Sequence, residues 1–417
     1  MIKKALFIVL IAVLVLTGCA PLAPRGAAAL TVAMVTPTPS GGTHSASLSN
    51  QTAGVGPDTY PEGVNPLTGL EVEDPENLDL PPALVSITNF PISARPQAGL
   101  SYSPIVFELY IGQGDSRYLA MFYGDYPDLA ASAGGSVDTT NNSDPSVGPV
   151  RSGRLPYEPL RAQYNGFLVM ASAYKTIAAN LSEFTNIFAS DSGDINSAML
   201  DVTKLEDIAK ANQKKLDTSS LSGNLFDAAV PKGGVDGTSL WIPWSYYNQV
   251  IWRYDEESGA YNRYQDKADG VTFELMTDRL NGEPLTYENV VVLFANHHVY
   301  AETVIDIELQ YMKKMPALVF RDGKMYQVYW TTANGDYEKK TGKLRPIRFI
   351  DAQGNPFPMK PGQTWVEMVP YGAAYNETVD SENYYLKKRT VEAGSGNWMV
   401  HFYVPAIEEM PAWLKNK

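Results

Sequence analysis

The pattern of apolar and polar positions changes character along the chain. Ala5 to Leu16 is an unbroken apolar run of 12 residues behind Lys3-Lys4. From Ala20 to about Tyr60 the composition is Ala, Pro, Gly, Ser and Thr, with almost no charge. Such a segment cannot bury enough apolar area to offset the entropy of ordering it. From Asn65 onward, short apolar or aromatic runs bounded by Pro and Gly predict strands over Ala83–Asn89, Ile105–Ile111 and Tyr118–Tyr123. Helical periodicity then predicts helices over Pro156–Tyr164, Tyr174–Phe184 and Thr203–Lys214. The last has Glu206 three residues after Thr203, the capping-box spacing. Phe167–Ala171 reads as a buried strand between helices, and the polar stretch Asp125–Gly148 as a long surface loop.

Beyond about Trp241 the texture is that of strands. Ser245–Tyr254, Ala260–Tyr264, Val290–Ala295, Thr303–Leu309, Ala317–Phe320, Met325–Trp330, Ile347–Ile350, Trp365–Val369 and Met399–Val404 all fit. Turns such as Asn281-Gly282 and Asp322-Gly323 suit tight reversals between them. The expected fold class is mixed α/β, or α+β, in two domains. An α/β N-terminal domain spans 61–230 and a mostly β C-terminal domain spans 236–410. Both follow a disordered tether over 19–60.

The first residues carry a signal. A positive start, an apolar stretch and the small residues before Cys19 make a secretory signal peptide over 1–18. Twelve apolar residues are too few for a spanning helix, which needs about 20. Leu16-Thr17-Gly18-Cys19 resembles the lipoprotein box, whose cysteine thiolate is the nucleophile that takes the lipid. Cys19 is the single cysteine of 417 residues. With its thiol lipidated, the mature chain has no internal disulfide, no cysteine nucleophile and no cysteine metal ligand. Two acyl chains anchor stably where one does not. The expected partner is therefore the membrane, through a lipid on Cys19, at the outer face of the cytoplasmic membrane or elsewhere in the cell envelope. Loss of Lys3 and Lys4 with no acid takes the net charge from −13 to −15. An acidic surface of this kind argues against nucleic acid as a partner.

Four arginines stand out in the first half: Arg95, Arg117, Arg151 and Arg154. Guanidinium groups bind carboxylate or phosphate in a bidentate manner and stay charged. Together they suggest a pocket for an anionic ligand, with Glu108 orienting one guanidinium. The structural reading of the same residues is a set of ion pairs tying loops to the sheet, most plainly Arg117 or Arg151 with Glu108. Eight aromatic residues, Trp241, Trp244, Tyr246, Tyr247, Trp252, Tyr254, Tyr261 and Tyr264, fall within 24 positions. They could stack on sugar rings, but strands are rich in aromatics in any case. His297 and His298 are adjacent in a strand and point to opposite faces. No zincin, nucleophile-elbow or phosphate-loop motif is present. No catalytic residue, metal ligand or cofactor site is assigned. Asp191-Ser-Gly-Asp194 breaks the spacing of a calcium loop.

Several motifs recur in a fixed order: Asn65-Pro-Leu-Thr-Gly-Leu70, Ala94-Arg-Pro-Gln-Ala-Gly-Leu100, Ile105-Val-Phe-Glu108, Gly114-Asp-Ser-Arg117, Gly148-Pro-Val-Arg-Ser-Gly-Arg154, Asn289-Val-Val-Val292 and Pro361-Gly-Gln-Thr-Trp365. This series resembles the YerB-like lipoproteins, a family defined by a domain of unknown function (DUF3048) with N- and C-terminal parts. The resemblance implies a mixed α/β first domain and a separate C-terminal domain, and brings no established reaction. Two places depart from the family pattern. Ser222-Gly-Asn-Leu-Phe226 stands where a Pro-His-Asn-Leu-Tyr stretch is usual, and Met276-Thr277-Asp278 where a His-x-Asp pair is usual. The expected function is that of a non-catalytic binding or scaffold protein at the envelope, for an envelope protein, an anionic small molecule or a glycan. The alternative is a hydrolase or transferase of cell-wall polymer, using Glu108 with Asp115 or Asp278 as acid and base.

Overall fold

Strands dominate because short apolar runs alternate with turn residues throughout the chain. The structure is a computed structural model that describes residues 54–127, 146–201, 203–213, 220–378 and 392–415. The expectations for the signal peptide and Cys19, for most of the tether, and for 128–145 of the Asp125–Gly148 loop fall outside the described residues. We number eighteen strands in chain order: β1 Ala83–Thr88, β2 Ile105–Gly112, β3 Asp115–Phe122, β4 Phe167–Met170, β5 Phe184–Asn186, β6 Ser239–Ser245, β7 Asn248–Asp255, β8 Ala260–Asp266 and β9 Phe273–Leu275. There follow β10 Asn289–Ala295, β11 His297–Ala301, β12 Val304–Ile307, β13 Met315–Arg321, β14 Lys324–Thr331, β15 Arg348–Ile350, β16 Thr364–Pro370, β17 Ala374–Glu377 and β18 Asn397–His401. The helices used below are α1 Tyr157–Gln163, α2 Lys175–Ala178 and α3 Thr203–Asn212.

One sheet of eleven strands forms the centre, in the order β15-β14-β13-β10-β16-β2-β3-β1-β4-β5, with Val235–Asp236 beside β14. A sheet of seven strands, β9-β8-β7-β6-β18-β17 with Thr286–Tyr287 beside β8, packs against it. The join between the two halves of the sequence lies inside the central sheet. There β2 pairs in parallel with β16, from Ile105 opposite Thr364 to Leu109 opposite Met368. The line expected between 230 and 236 therefore does not separate two sheets, and all the described residues fall in one compact unit.

The central sheet is covered on both faces, which is why its middle strands are apolar without a break. In β2, Val106 and Tyr110 point into the core shared with the second sheet. Ile105, Phe107, Leu109 and Ile111 point to the opposite face, against Tyr157 and Leu160 of α1. Trp252, Tyr287 and Trp365 meet at the centre of the inter-sheet core, with ring centroids 5.2–5.9 Å apart. Trp241, Trp244, Trp252 and Tyr261 are all buried, so these members of the aromatic run are core residues. The helix expected over Tyr174–Phe184 is only α2. The chain reverses at Glu183, with φ of 46°, and Phe184–Asn186 becomes the edge strand β5.

Candidate functional site

Glu108 does not meet the arginines expected beside it. It alternates with Phe107 and Leu109 in β2, and so faces the second sheet. Its Oε2 accepts from Nη2 of Arg263, in β8, at 2.9 Å, and its Oε1 accepts from Ser116 at 2.5 Å. Glu367 lies directly opposite Glu108 in β16 and accepts from Trp252 Nε1 at 2.8 Å. Arg263 Nη1 lies 3.7 Å from Glu367. Its guanidinium sits over Trp365, Trp252 and Tyr118 at 4.5, 5.3 and 5.3 Å. All three charged side chains are fully buried. Burial, and then the facing Glu108, raise Glu367 well above the usual carboxylate range. Burial and Glu108 thus oppose ionisation of Glu367, against the pull of Arg263 and Trp252. Arg263 resists the opposite pull of burial because Glu108, Tyr118 and Glu367 hold its charge. This cluster fixes the two sheets together and has no opening for a substrate.

Arg95 belongs to the same side. Its Nε donates to Asn89 O at 3.1 Å and its Nη1 to Asp266 O at 2.6 Å. It therefore takes no part in a site with the other three arginines. Asp278 is also buried, and accepts from the backbone of Gly99, Ser101 and Leu280 at 2.8–2.9 Å. Those bonds splice the Gly99–Ser101 turn to the Asp278 loop. The pairing of Glu108 with Asp278 as acid and base is not built here: both are committed to the fold.

Arg117, Arg151 and Arg154 do come together. Strands β1 and β4 run parallel from Ala83 opposite Phe167 to Val85 opposite Val169, and then part. The segment Pro149–Gly153 is inserted between their carboxyl ends. Arg151 N donates to Ser86 O at 2.8 Å, and Ala171 N donates to Arg151 O at 2.9 Å. Such a parting of parallel strands is a favoured place for ligands in α/β sheets. Arg117 reaches it from β3, where it stands opposite Thr88 on the α1 face of the sheet. Its Nη1 donates to Ser152 O at 3.0 Å and to Ser152 Oγ at 3.1 Å. Arg154 Nη1 donates to Ser152 Oγ and Gly153 O, both at 2.9 Å.

None of these three arginines makes an ion pair with a carboxylate among the described residues. Burial first, and then Arg154, push Arg117 down to about 9, while Arg151 adds to the repulsion. Tyr157 and, more weakly, Asp115 oppose this. The Nε atoms of Arg117 and Arg154 are buried without a hydrogen-bond partner. Uncompensated buried guanidinium groups are costly unless an anion joins them. At the same end of the sheet, Ile187 N donates to Met170 O and Gly153 N to Ser172 O, which brings the flanking loops alongside. Tyr174 and Phe188 in those loops are 68% and 69% exposed.

The other sequence candidates are structural. His297 is buried, with Nδ1 2.9 Å from Ala295 O. His298 lies on the outer side, between Glu308 and Glu408 at 3.1 and 3.0 Å. Asp191 and Asp194 cap their own turn through Gly193 N and Asn196 N, each at 2.8 Å. Among the described residues no group of His, Cys, Asp or Glu is placed to hold a metal ion, and no helix is long and apolar enough to cross a membrane. Arg263 and Ser152, central to the two clusters, escaped sequence reasoning. Arg263 lies in a strand of mixed composition, and Ser152 is one small residue in a glycine-containing loop.

Residues 67–204 match the N-terminal domain, and residues 240–366 the C-terminal domain, of a protein of unknown function (DUF3048). The protein YerB of Bacillus subtilis (strain 168), whose descriptive name includes the word lipoprotein, is 27% identical over 333 residues. That alignment covers 75% of this chain and 88% of YerB. The crystal structure of the YerB protein from Bacillus subtilis superposes with a TM-score of 0.55 at 23% identity. It covers 74% of this chain and 96% of that one, and shows the same fold. Matched in both domains and in the arrangement of its strands, the chain belongs to the YerB-like family of DUF3048 proteins.

Proposed function

We propose that this protein is a membrane-tethered lipoprotein of the cell envelope that binds an anionic ligand without catalysis. The observation that carries the reading is the convergence of Arg117 and Arg154 on Ser152, with Arg151 beside them and no ion-paired carboxylate among the described residues. Arginine is suited to such a role because its fork donates in a plane to carboxylate or phosphate oxygens. The hydrolase or transferase reading loses support, since Glu108 and Asp278 are buried and hydrogen-bonded within the fold. The anchoring part of the proposal rests on the Leu16-Thr17-Gly18-Cys19 sequence and on the name of the B. subtilis relative.

Two measurements test these parts separately. Titration calorimetry of the full chain with phosphate and sulfate should show saturable binding that the double variant Arg151→Ala, Arg154→Ala loses. Binding unchanged in that variant, at an unchanged melting temperature, removes the site. Metabolic labelling with a radioactive fatty acid should mark the wild-type protein and not Cys19→Ala. Equal labelling of both ends the case for Cys19.

A further inference from the structure

The arginine cluster contains one donor that the arginines themselves leave unused. A serine hydroxyl offers two acceptor positions and one hydrogen. Ser152 Oγ accepts from Arg117 Nη1 at 3.1 Å and from Arg154 Nη1 at 2.9 Å, so both acceptor positions are taken. Its hydrogen must point away from the two guanidinium groups, and it meets no acceptor among the described residues. The Ser152 carbonyl is equally occupied, by Arg117 Nη1 at 3.0 Å, Arg154 Nη1 at 3.4 Å and Ser86 Oγ at 3.3 Å. Ser86 in turn accepts from the Tyr157 hydroxyl at 3.1 Å, because its own hydrogen is directed to Ser152 O. Two positive charges are thus held in place by neutral oxygens, with Arg151 close enough to repel Arg117. Arg117 is only 7% exposed, and its Nε and that of Arg154 still lack a partner.

We propose that this site takes a doubly charged tetrahedral oxyanion, a phosphomonoester, and that the Ser152 hydroxyl donates to one of its oxygens. The assignment rests on the anion-binding reading above and narrows it. A carboxylate brings one negative charge and two oxygens, which leaves two of the three guanidinium charges unmatched. A phosphomonoester carries about −1.5 to −2 at neutral pH, with three strong acceptor oxygens. That matches up to two of the three charges and gives the Ser152 hydrogen and the arginine N–H groups separate oxygens to bind. A phosphodiester, with a single charge, fills the site less well.

The test is calorimetric titration of the full chain with methyl phosphate, dimethyl phosphate and acetate, at about pH 8 and about pH 5, on either side of the ester's second pKa of about 6. Methyl phosphate should bind at least about tenfold more tightly than the other two at the higher pH, and the advantage should shrink at the lower one. Ser152→Ala should weaken methyl phosphate about tenfold, and Ser152→Thr, which keeps the hydroxyl, should restore it. Vesicles containing phosphatidic acid that bind in place of soluble ester would uphold the class and assign it to a lipid headgroup. Equal affinity for all three small anions overturns the monoester assignment and leaves anion binding standing. Absence of binding to all three and to the vesicles overturns both. Unchanged methyl phosphate affinity in Ser152→Ala, at an unchanged melting temperature, overturns the role of Ser152.

Discussion

Glu108 and Glu367 lie directly opposite each other on adjacent parallel strands and share the guanidinium of Arg263, 2.9 Å from the first and 3.7 Å from the second. The two halves of the sequence are thus held together by three charged residues from β2, β8 and β16. Two carboxylates facing one cation cannot both ionise without cost, and the longer contact belongs to the one whose ionisation burial opposes.

The two carboxylates should answer differently to substitution. Glu108→Ala leaves Arg263 buried without its closest anion, and should cost about 3–5 kcal/mol in urea denaturation. Glu367→Gln removes a carboxylate whose ionisation burial opposes and keeps an oxygen that can accept from Trp252, and should stay within about 1 kcal/mol of wild type or gain stability. An equal loss in both variants would contradict this difference.

The pH dependence follows from the same pair. An acid whose folded-state pKa is raised contributes stability that is complete below its unfolded value, 4.5, and is lost as pH rises toward the folded value. Wild type should therefore lose stability relative to Glu367→Gln as pH increases above that point. Urea midpoints measured in parallel across the pH range give the difference directly, and parallel curves would contradict it.

His298 joins the β11–β12 hairpin to the C-terminal segment, with Glu308 on one side and Glu408 on the other. The segment is also tied by Glu408 N to Val299 O at 2.7 Å. Asp306, Tyr300 and His297 are the other titratable neighbours of the ring. Burial opposes the charged ring, but the two glutamates raise its pKa above 6.5. The contribution is complete below 6.5 and is lost as pH rises through the raised value. Amide exchange in residues 405–415 should accelerate across that window in wild type. In His298→Ala it should be fast at both ends after correction for intrinsic rates.

Gly69 is the fifth residue of the Asn65–Leu70 motif, with φ of +70°, and a Cβ there would lie 2.6 Å from Phe226 Cβ and Cγ. Asn65 fixes the same turn by donating to Tyr123 O and accepting from Leu67 N, both at 2.9 Å. Gly69→Ala should cost about 1–3 kcal/mol in chemical denaturation, from the positive φ and the contact together. A neutral result would mean that the turn and Phe226 can move apart.

These relationships were legible in the sequence to different depths. Strands such as Val290–Ala295 and Trp365–Val369 are visible because their apolar runs are bounded by turn residues. Helix Thr203–Asn212 begins at the residue its capping pattern marks. The hairpin from Ser239 to Asp255 is only half visible: Pro243 and the aromatic run hide a strand in front of the one expected. The Tyr174–Phe184 helix failed because local periodicity favoured it while pairing with β4 captured its end as β5. Of the four arginines, Arg117, Arg151 and Arg154 lie together and Arg95 lies apart, while Glu108 pairs with Arg263 instead of Arg117 or Arg151.

The sequence by itself determined many of the strands, which side chains alternate within each of them, and where a Leu-Thr-Gly-Cys sequence resembling a lipoprotein box stands. It also determined that arginine and glutamate occupy positions next to apolar runs. Only the tertiary structure decided that Glu108 pairs with Arg263, 155 positions away, while Arg117 turns to the other face of the sheet toward Ser152. The reason is geometric. Alternation fixes the relative facing of neighbours within one strand. Which face meets a second sheet, and which meets a helix and a parted pair of strands, depends on cross-strand register between segments far apart in the chain.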